Sequence, residues 1–152
     1  MPTQEIDRKR LMDLLNEDLS REYQAIIAYV VYSQVLKGAQ YMSIASQLEE
    51  HAAQELDHAL KISQQIDYLG GMPNATPKPV KLTENAEEML RADLENERVT
   101  IANYRTRVRQ ADALGEFAMS EILREILVQE QDHLIDLATA LGIDPPDPGE
   151  AR

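Results

Sequence analysis

Two copies of one short pattern, Glu55-Leu56-Asp57-His58 and Glu130-Gln131-Asp132-His133, carry the chemistry that this sequence suggests. Each sets a carboxylate and an imidazole three residues apart, which places both on one face of a helix. Each has a glutamate well upstream, Glu22 for the first and Glu97 for the second. A constant shift of 75 positions relates the sets: Glu22 to Glu97, Glu55 to Glu130, His58 to His133 and Tyr29 to Tyr104. The pattern reads as a duplicated helix pair that builds one two-metal carboxylate site.

The elements that must position these residues are helices, since the apolar positions recur with helical period and glycine and proline fall at few places. The first is expected from about Glu5 to Lys37, closing at Gly38, with an inward stripe of Leu11, Leu15, Glu22, Ile26, Tyr29, Ser33 and Leu36. The second should begin near Gln40 and stop at Gly70-Gly71, presenting Ile44, Leu48, His51, Glu55, His58, Ile62, Ile66 and Leu69. Thr83 is the expected N-cap of the third, with Glu84, Glu87 and Glu88 at its positive end. Its stripe is Leu90, Leu94, Glu97, Ile101, Tyr104, Val108 and Ala111. A turn at Asp112 to Gly115 leads to the fourth, which uses Met119, Leu123, Ile126, Glu130, His133, Leu137 and Leu141 and closes at Gly142.

Short turns after helices one and three make two antiparallel hairpins. Helices of roughly 28 residues are about 42 Å long. The Pro-bearing stretch Gly70 to Thr83 reaches about 45 Å when extended, enough to run the length of the bundle. The expected fold is therefore all-α: a four-helix bundle of two antiparallel hairpins joined by a long crossover. It occupies residues 1–143, and residues 144–152 are expected as a flexible, proline-rich tail.

Every helix interrupts its apolar stripe with a glutamate. A buried carboxylate must be protonated, paired or metal-bound, and no lysine or arginine lies on the inward stripes near these four. Four glutamates with two neutral histidines balance two divalent ions. Carboxylate oxygen with one imidazole per ion suits iron or manganese and leaves coordination positions free for oxygen species. Metal binding should then release protons. Tyr29 and Tyr104 either fill the core or donate to a ligand carboxylate. His51 shares the stripe one turn before Glu55, but the shift maps it to Ile126. It is either a structural histidine or one that carries iron to or from the site.

Composition closes other routes. With no cysteine there are no disulfides, thiolate zinc sites or iron–sulfur clusters. A net charge of −12 opposes binding to nucleic acid. Met1 to Arg10 lacks an apolar segment, and no run approaches the roughly 20 residues of a membrane span, so a cytoplasmic protein away from membranes is expected.

From about Leu11 to Leu141 the chain resembles the ferritin-like superfamily, and bacterioferritin most closely. The resemblance is carried by His58 to Asn74, ending Leu69-Gly70-Gly71-Met72-Pro73-Asn74. It continues in Glu88-Met89-Leu90-Arg91-Ala92-Asp93-Leu94 with Glu97 following, and in Glu121-Ile122-Leu123-Arg124 leading to Glu130 and His133. It implies a ferroxidase centre holding two irons per chain, whose ligands would also accept manganese or zinc. Glu55 and Glu130 would bridge, Glu22 and Glu97 would be terminal, and His58 and His133 would complete one iron each. Ferrous iron would be oxidised by dioxygen or hydrogen peroxide for storage or detoxification. Leu56 stands where the family places a haem-ligating methionine, which argues against haem. The fourth helix ends without the family's short fifth helix, which favours a dimer or a smaller shell over a 24-subunit cage.

Tyr23, Ile27, Val30 and Val31 on the first helix and Ala45, Ala52, Leu56 and Ala59 on the second are expected to face outward. They suggest a homodimer through helices one and two, with a larger shell also open. Two other readings of the centre are a rubrerythrin-like di-iron peroxidase or oxidase and a non-enzymatic metal-binding bundle. The equivalents of rubrerythrin's additional glutamate are Thr100 and Ile101, and the four-cysteine domain usual in that family is absent.

Overall fold

A computed structural model describes residues 6–151. Four long helices make up the fold: α1 (Arg8–Val35), α2 (Met42–Tyr68), α3 (Ala86–Ala113) and α4 (Phe117–Leu141). The expected start at Glu5 lies outside the described residues. Helix α1 begins at Arg8 because Asp7 caps it, its carboxylate accepting the Arg10 N–H at 2.7 Å. It stops at Val35, short of Lys37, and Gly38 turns the chain with φ 116°, a value that favours glycine. A single 3₁₀ turn, Ala39–Tyr41, then feeds α2.

The cap of α3 is Asn85 rather than Thr83: Asn85 accepts the Glu88 N–H at 2.9 Å. The Thr83 hydroxyl serves one step earlier, accepting from the Asn85 N–H and donating to Glu88. Both residues are good caps, and the choice between them depends on where the crossover delivers the chain.

That crossover runs the length of α1. Asn16 donates to the Met72 carbonyl, Ser20 offers its carbonyl to the Lys78 N–H, Gln24 donates to the Pro79 carbonyl and the Tyr32 hydroxyl to that of Lys81. A segment with three prolines makes few bonds to itself, so α1 satisfies its backbone groups instead. Helix α3 therefore starts beside the end of α1 and runs antiparallel to it, and α2 and α4 pack against each other in the same sense.

The apolar stripes form two clusters. One holds Leu11, Leu15, Leu19, Ile62, Ile66 and Leu123, the other Tyr32, Leu48, Leu90, Leu94 and Leu137. The polar positions of all four helices fall between them. Ala59, expected on the outer face, is buried in the first cluster; Leu56 and Leu60 are the exposed apolar residues of that turn. The chain after Gly142 lies along α3 rather than loose. Arg105 donates to the Gly149 carbonyl, Thr106 to that of Ala151, and Arg109 makes a two-pronged pair with Glu150 at 2.7 and 3.0 Å. Among the described residues no helix is long and apolar enough to cross a membrane.

Candidate metal centre

The six residues converge at mid-bundle. Glu22, Glu55, His58, Glu97, Glu130 and His133 are each at most 2% exposed, and every one of the four helices contributes its glutamate. Their ligand atoms fall into two overlapping groups, each within 4.8 Å: Glu22, Glu55, His58 and Glu130, and Glu55, Glu97, Glu130 and His133. Glu55 and Glu130 belong to both.

The pairing crosses between the halves. His58 Nδ1 lies 3.0 Å from Glu130, and His133 Nδ1 lies 2.9 Å from Glu55. The Tyr29 hydroxyl donates to Glu97 at 2.6 Å and that of Tyr104 to Glu22 at 2.5 Å, so both tyrosines hold a carboxylate of the opposite hairpin. Neither hairpin could form the cluster alone.

Two residues that sequence reasoning passed over complete it. Gln129 Oε1 sits 2.6 Å from His58 Nε2, and Gln54 Oε1 sits 2.5 Å from His133 Nε2. An acceptor at Nε2 fixes a proton there and turns Nδ1 toward the carboxylates, as the atom a metal would take. Each glutamine directly precedes its glutamate, and the pair obeys the same 75-position shift. That regularity was the available signal. A polar residue beside the inward stripe ordinarily faces water, which masks the signal.

Many donor atoms of the cluster lack partners. Both oxygens of Glu55 and of Glu130, one oxygen each of Glu22 and Glu97, and both histidine Nδ1 atoms are buried without a hydrogen bond. Burying such atoms costs several kcal/mol unless something satisfies them. Burial, together with the charges of Glu22 and Glu97, pushes Glu55 well above the usual carboxylate range. Burial and the charges of Glu55 and Glu97 do the same to Glu130. Burial also opposes ionisation of Glu22 and Glu97, but contacts with Glu55 and His58 hold Glu22 low, and His133 draws Glu97 down to about 2. Burial disfavours charge on both imidazoles, yet the surrounding carboxylates hold His58 and His133 above the ordinary histidine value. The centre without cations therefore keeps protons on acids that cations would displace. The buried Glu/His cluster fits a di-iron site.

One more pair follows the shift. Asp18 and Asp93 are both buried, but Asp18 receives a two-pronged bond from Arg107 at 2.6 and 2.9 Å. The residue matching Arg107 on the other side is Tyr32, so Asp93 has no cation there, and burial beside Glu97 pushes its carboxyl well up. Arg107 lies off the expected inward stripe and pairs with Asp18 one turn away from Glu22, leaving the six-residue cluster itself free of lysine and arginine.

The chain belongs to the ferritin-like domain family, which matches residues 12–144. It is 29% identical over 135 residues to a bacterioferritin of Brucella melitensis, across 88% of this chain and 84% of that one. A ferritin-like diiron-carboxylate protein from Bacillus anthracis superposes with a TM-score of 0.85 at 33% identity, covering 91% of this chain and all but 1% of the other. A dodecameric thioferritin from Bacteroides fragilis, a bacterioferritin-related protein, gives a TM-score of 0.83 at 28% identity over 90% of this chain and 87% of its own.

Proposed function

We propose that the cluster is a ferroxidase centre that binds two ferrous ions per chain and oxidises them for iron storage or detoxification. The observation that carries this reading is the convergence of buried, unpartnered carboxylate and imidazole atoms into two groups that share Glu55 and Glu130. One iron would be held by Glu22 and His58 and the other by Glu97 and His133, with Glu55 and Glu130 available to both. The same oxygen and imidazole donors would accept manganese or zinc, of which zinc cannot donate an electron.

Each ferrous ion gives one electron. The two electrons of a filled centre, with two protons, convert hydrogen peroxide to two waters or dioxygen to hydrogen peroxide. Around that chemistry the chain supplies geometry: Gln54 and Gln129 aim the imidazoles, while Tyr29 and Tyr104 hold the terminal carboxylates. Tyr29 and Tyr104 stay protonated, since burial and the adjacent Glu97 and Glu22 raise both well above the ordinary phenol value.

The chain acts as a homo-oligomer. Ile27 and Val30 on α1 and Leu56 and Leu60 on α2 are 40–64% exposed on one hairpin's outer face, an apolar patch suited to a second copy. The dodecameric relative supports a shell built on such a dimer.

Anaerobic iron(II) titration, then exposure to dioxygen or peroxide, tests the reading, with native mass measured on the same sample. The expected result is two irons bound per chain, ferric absorption on oxidant addition, and loss of both in Glu130→Ala. Glu130→Ala oxidising iron at the normal rate defeats it.

A further inference from the structure

The duplication breaks at one place beside the centre. The shift that superposes the six residues sends His51 of α2 to Ile126 and Asp136 of α4 to Lys61. His51 is 3% exposed, and its Nε2 lies 3.1 Å from Asp136 Oδ2, whose side chain is 37% exposed. Its ring stacks on His133, centroids 3.9 Å apart, and meets Tyr29 edge-on at 5.1 Å. At the matching end of the α2–α4 wall, Ile126 is core and Lys61 pairs with Asp57 at 3.0 Å. One end thus runs from a half-exposed carboxylate through an imidazole to a residue of the cluster. The other presents a surface cation backed by an aliphatic side chain.

His51 is also wired like His58 and His133. All three have an acceptor on the facing helix at Nε2, namely Asp136, Gln129 and Gln54, and all three leave Nδ1 buried without a partner. The large majority of buried side-chain polar atoms have a hydrogen-bond partner, and a neutral imidazole offers one donor and one acceptor nitrogen. His51 keeps a bare lone pair instead, as a ligand does. Its ligand atoms lie outside both four-residue groups, so it is not a third resident imidazole of the centre.

We propose that Asp136 and His51 form a relay for divalent cations, taking an ion from solvent and passing it to the His133 side of the centre, while the end at Ile126 and Lys61 stays closed. This rests on reading the six-residue cluster as a metal centre. A net charge of −12 favours cations around the whole chain, and the relay selects where they go in. Two donors about 3 Å apart can share a cation held about 2.1 Å from each, and His51 Nε2 becomes the second donor when its proton passes to the unpartnered Nδ1. Asp136 and His51 are placed for that without backbone movement.

Stopped-flow uptake of cobalt(II), whose visible absorption reports ligation, tests the proposal on the assembled protein. His51→Ile copies the residue at the mirror position, Asp136→Asn removes the half-exposed charge, and Asp57→Asn is the control at the closed end. Filling should slow roughly tenfold in His51→Ile and in Asp136→Asn. The final two cobalt ions per chain should be retained, the double variant should be no slower than His51→Ile, and Asp57→Asn should fill at the normal rate. Normal filling in both test variants overturns the relay, as does equal slowing in Asp57→Asn. If His51→Ile fails to fold, Asp136→Asn alone decides. A wild-type chain that takes up no cobalt overturns the centre itself, and the relay with it.

Discussion

Loading the centre should expel about four protons per chain, a count that follows from its charge arithmetic. Without cations, the raised carboxyls of Glu55 and Glu130 and the raised imidazoles of His58 and His133 favour protons there, while the lowered carboxyls of Glu22 and Glu97 favour ionisation. Two carboxylates against two imidazoliums sum to zero. With two divalent ions, four carboxylates and two neutral imidazoles again sum to zero. The difference is two carboxyl protons and two imidazolium protons. Each displaced proton weakens binding by about 1.4 kcal/mol per unit fall in pH, so four amount to about 5.5 kcal/mol for the pair of ions. Calorimetric titration with zinc in buffers of different ionisation enthalpy counts the protons directly. About two or fewer per chain at pH 7 would mean that the buried acids are ionised before metal arrives, refuting the argument from burial.

The same groups give the cation-free protein a defined pH dependence. Folded-state values of Glu55, Glu130, His58 and His133 all lie above their unfolded values, so the folded chain holds more protons above about pH 5 and its stability falls as pH rises from 5 to 8. Glu97, drawn down to about 2, has already made its contribution by then, losing it only as pH falls toward 2. Thermal melts of metal-free protein should show this fall, and zinc-loaded protein should lack it. Gln54→Leu and Gln129→Leu should each weaken cobalt binding about 10–100-fold by freeing the imidazole, as measured by competition with a chelator. Arg107→Met should cost about 3–5 kcal/mol in urea unfolding, because it leaves Asp18 buried without its partner; adding Asp18→Asn should recover most of that loss.

How much of this was legible in the sequence depends on what each feature required. The four helices and the crossover follow from period and punctuation, and Glu22, Glu55, His58, Glu97, Glu130 and His133 stand out because a charged residue on an apolar stripe needs a reason. Gln54, Gln129 and Asp136 did not stand out, because they sit beside the stripe, where polar residues are ordinary. Only the rotation of α2 against α4 turns them inward. Asp18 and Arg107 were hidden for the same reason, since an arginine off the stripe reads as solvent-facing until its partner is seen. The tail's attachment to α3 rests on Arg105, Thr106 and Arg109, which read as a polar outer face until the returning chain covers them. The crossed bonds of Tyr29 and Tyr104 needed the antiparallel meeting of α1 with α3.

Diffraction from crystals loaded with ferrous iron under anaerobic conditions, collected across the iron absorption edge, addresses the central claim most directly. Two anomalous peaks should appear about 3.5–4 Å apart, one against Glu22 and His58, the other against Glu97 and His133, with Glu55 and Glu130 between them. A single peak elsewhere on the chain, or none among these six side chains, would contradict it.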